Sequence, residues 1–497
     1  MVAGLIGLRS RMEPVITTTV AVSYWPMFVL IVSMAFVVVG IAVLKIHPFF
    51  VLILAAVLVG MLSSQLPDAG YANHLIRAVE LSMSELGSVA GSIAFVILLA
   101  AVIGMCMLES GAADRIVRRA IAVLGESRAP LALLAAGFFL SIPVFFDTVF
   151  FLLLPIARAL ALRTGRNYVL YILAICAGAV VTHVLVAPTP GPLLVAEILR
   201  PVGVELGTSM LAGILAGIPP AVAMLYLARR IDARKPIDLR ETPGISLNEL
   251  EDAAARPDSE LPPFLLSVLP VVVPVLLISA SSIVDAGAAN APATGGPSGT
   301  FPAELTYYVN FLGNKNVAML IGTAIAVYIL ARQKKMGLQS VTEAVGPTIA
   351  TGGVIVLTTA AGGAFGAMIR HSGVGDVIRV IAEDYRINYV LLSWLVAAVI
   401  RLAQGSATVA MITSAGLMTA IVADGSALPV HPIYIFLAIG FGSTFCSWMN
   451  DSGFWVVGKL AGFTERETLQ TWTVLTIFIS VFGLIQLLLV SRLLPFR

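Results

Sequence analysis

Long uncharged apolar stretches recur along the chain, separated by short polar ones. They run from Tyr24 to Leu44, Gly87 to Leu108, Leu206 to Ala228, Leu261 to Val284, Ala344 to Ile369 and Thr468 to Ser491. A bilayer core about 30 Å thick takes about 20 apolar residues as one helix, since each backbone N–H and C=O must be bonded within the segment. Each stretch therefore predicts a spanning helix. Shorter or interrupted runs occupy Pro48 to Ser64, Ala129 to Phe146, Asn167 to Thr182, Asn316 to Ala331, Ile387 to Ile400, Leu402 to Ala423 and Pro432 to Asn450. Together they predict an all-α polytopic membrane protein of about 12 membrane segments.

Composition agrees. Of 497 residues, 59% are hydrophobic and 12% charged, where a soluble domain carries roughly a quarter charged. Arg9 and Arg11 precede the first run, but that run lacks a small-residue cleavage pattern, so it is expected to be a spanning helix rather than a removable signal. The net charge of +2 is spread over loops with no basic face, so nucleic acid is not an expected partner. Cys106, Cys176 and Cys446 lie inside apolar runs without metal-ligand spacing, which predicts packing cysteines, no disulfide and no metal or other cofactor.

The basic loops, Glu109 to Arg128, Arg229 to Glu260 and Arg332 to Lys335, should face the cytoplasm. Gln65 to Leu86 and Asp285 to Lys315 carry one basic residue each and should lie outside, with the N-terminus. Arg370, Arg379 and Arg386 resist this scheme, because the helix count places them outside. The segment Glu109 to Ile116 resembles His371 to Ile378, an offset of 262 residues that also pairs Pro143 with Gly405, Asp147 with Val409, Thr182 with Thr444 and Thr189 with Asp451. One copy falls inside and the other outside, the pattern of an inverted repeat with a midplane site between broken helices. The expected organisation is a first transmembrane repeat over 1–228, a cytoplasmic linker over 229–262 and a second repeat over 263–497.

Four interruptions could carry chemistry, because charges and helix breakers at bilayer depth are costly and line interiors or cavities. Ser141 to Thr148 contains Pro143 and Asp147 and suits the tip of a re-entrant hairpin. Asp147 is either a proton-accepting carboxylate or the cap of the next helix. Thr182 to Pro192 holds three prolines and a glycine, which leave backbone groups free to cradle a polar ligand, with His183 as a candidate proton carrier or an interior hydrogen-bonder. Arg401 to Ala410 joins an arginine to a small polar turn. Arg401 can grip a carboxylate or pair with a buried acid such as Asp451, and Gly405, Ser406 and Thr408 offer partners for a polyol. Ser447 to Trp455 holds Asn450, Asp451 and Ser452. It reads as helix termination at Gly453, or as a polar platform opposite Thr189.

Together these segments resemble the gluconate permease family. The likeness runs from Lys45-Ile46-His47-Pro48-Phe49 to the last helix, through Glu109-Ser110-Gly111-Ala112, Ile142 to Asp147, His183 with Pro188 to Pro192, Gln404 to Ala410, and Asn450 to Trp455. It implies proton-coupled uptake of a small hydroxylated acid such as gluconate through the bacterial inner membrane. It also implies a fold similar to the wider ion-transporter superfamily, with paired re-entrant hairpins. The chain departs from the family pattern where Ala187-Pro188-Thr189-Pro190 stands in place of a Pro-Pro-His-Pro-like run. Relatives carry ketogluconates, fructuronate, glycerate or D-serine, and Arg401 suits any carboxylate. On this reading Arg401, Gly405, Ser406, Thr408, Thr189, Asn450 and Ser452 hold the substrate, and Asp147, His183 or Asp451 carries the proton. The rival readings are a sodium-coupled carrier of a small carboxylate or D-serine, a channel, and a membrane-embedded hydrolase, for which no nucleophile turn is present. The expected partners are the substrate, the proton, the bilayer and possible further copies of the chain.

Overall fold

The computed structural model describes residues 23–64, 66–67, 73–240, 257–289, 303–374, 377, 388–422 and 428–495. Arg379 and Arg386, and with them most of the loop that resisted the topology scheme, lie outside the described residues. The elements are α1 (Trp25–Val38), α2 (Pro48–Leu62), α3 (His74–Glu109), α4 (Ala112–Leu124), α5 (Ala129–Leu140), α6 (Phe146–Thr164), α7 (Tyr168–Leu185), α8 (Pro190–Leu199) and α9 (Leu206–Arg234). They continue with α10 (Phe264–Ala289), α11 (Ala303–Gly313), α12 (Lys315–Lys334), α13 (Leu338–His371), α14 (Tyr389–Gln404), α15 (Ala407–Val422), α16 (Ile433–Gly442), α17 (Ser452–Ala461) and α18 (Glu465–Leu493). No strand occurs among the described residues.

Local chemistry sets these bounds. Proline opens α2 and α8, where its missing N–H costs nothing. Asn73 and Asn388 accept the first amides of α3 and α14. Gly165, Gly405 and Gly462 end α6, α14 and α17 in the left-handed region.

Among the described residues seven helices are long and apolar enough to cross a membrane, or eight if the α4–α5 pair, bent by 111°, is one span. The chain is thus an all-α membrane protein. Several uncharged runs are cut into shorter helices. The run from Pro432 ends as α16 at Gly442 and resumes only at α17; each piece has 10 residues, about 15 Å of helix. α14 and α15 have 16 residues each, about 24 Å, short of the roughly 30 Å of a bilayer core.

The long helices α3 and α13 pack on each other, α2 packs on α13, and α12 packs on α3. A second layer joins α5, α7 and α9, and a third joins α14, α16 and α18. α7 and α8 lie innermost: 94% of their most apolar window is buried, against 44% for α9. α7 reaches that depth because Gly178 lets its backbone touch α5, where a Cβ would stand 2.2 Å from the Leu134 carbonyl oxygen.

Candidate functional site

Four helix connections, α5–α6, α7–α8, α14–α15 and α16–α17, meet at a single cavity of about 590 Å³. The first turns of α6, α8, α15 and α17 line it, through Phe146 to Thr148, Pro190, Ala407 with Thr408, and Ser452 with Gly453. The last turns of α7 and α14 add His183, Arg401 and Gln404. Four helix N-termini therefore surround one space. Each carries partial positive charge and amides without intrahelical partners, so the space favours an anion.

Arg401 and Asp451 form the buried centre of the wall. Arg401 is 4% exposed and Asp451 8%, and Nη2 lies 2.5 Å from Oδ2. Arg401 Nη1 donates to the Gly405 carbonyl, which ties the guanidinium to the α14–α15 break. Asp451 Oδ2 also accepts from Ser447 Oγ, which in turn accepts from Trp472 Nε1 at 2.6 Å, while Oδ1 accepts from Gly453 N at 3.2 Å. Trp472 packs on Phe146 with ring centroids 5.1 Å apart, so α18 braces both the Asp451 network and the start of α6. Of the two readings of Arg401, pairing with Asp451 is the one this geometry contains. Both Nη atoms are engaged, and the pair is close to neutral.

Three expectations about helix ends need correction. Asp147 does not cap α6: the N-cap is Phe145, without a side-chain bond, and Asp147 stands in the first turn. Its carboxylate is exposed toward the cavity with no ion-pair partner among the described residues. Gly453 does not end a helix, since α17 starts at Ser452 with Asp451 as its N-cap, and the Gly453 amide, one of those a helix start leaves open, donates to Asp451 Oδ1. Thr189 does not line the cavity. Its buried hydroxyl is directed back to His183 O at 2.9 Å and Val186 O at 2.7 Å, which closes the α7–α8 break on itself. Arg401, Gly405, Ser406, Thr408, Asn450, Ser452, Asp147, His183 and Asp451 do share the cavity. Ser406 uses its Oγ to accept from Val409 N at 3.3 Å at the start of α15.

The lining also contains residues that sequence reasoning passed over. Thr351 comes from the middle of α13 and Trp472 from α18, both inside runs that read as plain spans and so gave no signal. Gln404 stood beside a glycine turn, and an amide in that position was a detectable oddity. No cluster of metal-ligating side chains occurs among the described residues.

The comparisons with known proteins agree with this architecture. Two solved transporters share the fold: the YdaH transporter of Alcanivorax borkumensis (TM-score 0.57, 15% identity, covering 90% of this chain and 98% of that one) and MtrF of Neisseria gonorrhoeae (TM-score 0.60, 16% identity, covering 91% and 96%). A gluconate permease of Pseudomonas aeruginosa is 32% identical over 451 residues, 90% of this chain and 93% of that protein. The Gnt-II system L-idonate transporter of Escherichia coli K12 is 30% identical over 471 residues, 94% and 100%. The family profile described as GntP family permease matches residues 25–493. This membrane chain, a transporter and not an enzyme, belongs to the GntP family of permeases.

Proposed function

We propose that the chain imports gluconate or a related small sugar acid through the bacterial inner membrane by proton symport. The observation that carries this reading is the convergence on one cavity of four helix N-termini and the Asp147 carboxylate, which has no ion-pair partner among the described residues. The cavity volume, about 590 Å³, falls in the range of small-molecule sites. The family relatives named for gluconate and L-idonate support the substrate class.

In this mechanism the helix N-termini attract the carboxylate, while Arg401, close to neutralised by Asp451, fixes the α14–α15 break beside them. Thr408, Asn450 and Ser452 bond hydroxyls. Asp147 takes the proton, with His183 or Asp451 as the alternative carrier, and protonation removes the negative charge that would repel the incoming anion.

Two inverted repeats would place such a site at the bilayer midplane. Support comes from helix bounds and packing. α8 and α17 have 10 residues each and start 262 residues apart, at Pro190 and Ser452, with Thr189 and Asp451 as their N-caps; α3 and α13 end 262 apart, at Glu109 and His371. Packing is reciprocal: α2 on α13 matches α12 on α3, α5 on α7 matches α14 on α16, and α8 on α15 matches α17 on α6. The hairpins α5–α6 and α14–α15 and the broken pairs α7–α8 and α16–α17 would then move together in alternating access.

The test is radiolabelled gluconate uptake into vesicles of purified protein in sodium-free buffer under an inward proton gradient. Accumulation that a protonophore abolishes is the expected result. Uptake that appears only with sodium, and vanishes when choline replaces it, would reject proton coupling and leave the carrier reading intact.

A further inference from the structure

One side chain of the cavity wall has no part in this mechanism and no partner. Gln404 is 2% exposed and lines the cavity, and neither its Oε1 nor its Nε2 meets a hydrogen-bond partner among the described residues. Its backbone is firmly placed. Gly405 N donates to Arg401 O at 2.9 Å, and Gly405 takes φ +80°, where a Cβ would stand 2.1 Å from Asn450 O. Asn450 Nδ2 donates to Leu402 O at 2.9 Å. That anchoring leaves Asn450 Oδ1 buried without a partner, and His183 Nδ1 is in the same condition.

Buried polar atoms are almost always paired, because an unmet donor or acceptor loses its water and gains nothing in return. The described residues supply no partner for these atoms, so a ligand is the natural source. Gln404 Oε1 and Asn450 Oδ1 are acceptors. A carboxylate only accepts and cannot satisfy them, whereas a hydroxyl both gives and takes. Arg401, three residues before Gln404, has both Nη atoms committed to Gly405 O and Asp451, and only its Nε lacks a partner among the described residues, so the terminal fork of the guanidinium is closed to a two-pronged carboxylate contact.

We propose that Gln404 is a specificity-determining residue: its amide reads the hydroxyls of the transported acid, and with Asn450 it sets a preference for polyhydroxylated over plain carboxylates. The inference rests on the sugar-acid reading above and deepens it, since the hydroxylated end of the substrate faces Gln404. Its neutral amide suits this task, because a charged side chain at that depth would require a counter-ion.

The test is binding of gluconate and of singly deoxygenated gluconates to the purified full-length protein by titration calorimetry, for wild type, Gln404→Met and Gln404→Asn. In wild type, loss of the recognised hydroxyl should weaken binding about tenfold or more, as for other sites built to bond a substrate hydroxyl. In Gln404→Met, gluconate itself should weaken by a similar factor, and the same deoxy compound should show no further loss. Gln404→Asn keeps the amide one methylene short and should fall between; it carries the test if the Met variant does not fold. Unchanged gluconate affinity and unchanged deoxy penalties in a folded variant would overturn the assignment while leaving the sugar-acid reading standing. A wild-type protein that binds neither gluconate nor L-idonate would overturn both.

Discussion

The Asp451 carboxylate meets three groups at once, and this explains why Arg401 can lie so deep. A guanidinium 4% exposed pays a desolvation cost that only a close counter-ion with further hydrogen bonds can offset. Asp451 supplies the charge, while Ser447 and Gly453 N satisfy its remaining lone pairs. Removing one partner strands the other, so Arg401→Ala should cost about 3–5 kcal/mol of stability. The double variant Arg401→Met with Asp451→Asn should recover most of that loss. Thermal unfolding of the purified variants in one detergent checks this; a double variant no more stable than the single one would show that the pair is not the source of the cost. Asp147 has the opposite situation, exposed to the cavity and unpaired among the described residues. Asp147→Asn should therefore fold normally and still bind gluconate within about threefold, since no hydrogen bond within the protein is lost. If Asp147 carries the proton, the variant should equilibrate gluconate without concentrating it when a proton gradient is imposed. Gradient-driven accumulation by this variant would move the role to His183 or Asp451.

At the scale of elements, the helix breaks place the site, and their depth depends on close backbone contacts. Gly178 is the clearest case: a methyl group would meet Leu134 O at 2.2 Å and Phe138 N at 2.7 Å, both backbone atoms that cannot rotate away. Gly178→Ala should push α5 off α7 and destabilise the protein by about 2 kcal/mol or more, as overpacking does; an unaltered melting temperature would show that α5 yields without cost. The same elements show how much was legible in the sequence. The breaks at Pro143, Pro188 to Pro192, Gly405 and Asn450 could be read because proline, glycine and charge are rare at bilayer depth. Their directions could not. Gly453 looked like a helix end because glycine commonly follows one, yet the Asp451 side chain caps a helix that begins there. Thr189 looked like a ligand because a hydroxyl beside prolines has free backbone nearby, and it spends its proton on that backbone. Thr351 and Trp472 enter the cavity from helices whose sequence is otherwise uniform, so only packing reveals them. The pairing of Arg401 with Asp451 was one of two options in the sequence, and a contact across 50 positions decided between them.

For the whole molecule, the proposed transport cycle requires α8, which opens at the cavity, to shift against the layer built on α3 and α13. One ion pair bridges that boundary: Lys315 Nζ, at the start of α12, lies 2.5 Å from Glu197 Oε1 near the end of α8. Side-chain exposures of 18% and 20% make it partly shielded, so it should contribute about 1 kcal/mol, small enough to break in each cycle. A covalent link in its place should not break. In a background lacking Cys106, Cys176 and Cys446, the variant Glu197→Cys with Lys315→Cys can be joined by a short bifunctional thiol reagent. Gluconate binding to the joined protein should stay within about threefold of the unjoined form, because the link lies away from the cavity residues and a factor of three is under 1 kcal/mol. Uptake should fall to background and return on cleavage of the reagent. Full uptake by the joined protein would mean that α8 and α12 travel as one body, and the moving boundary would then have to lie elsewhere, with the α13–α15 contact as the next to test.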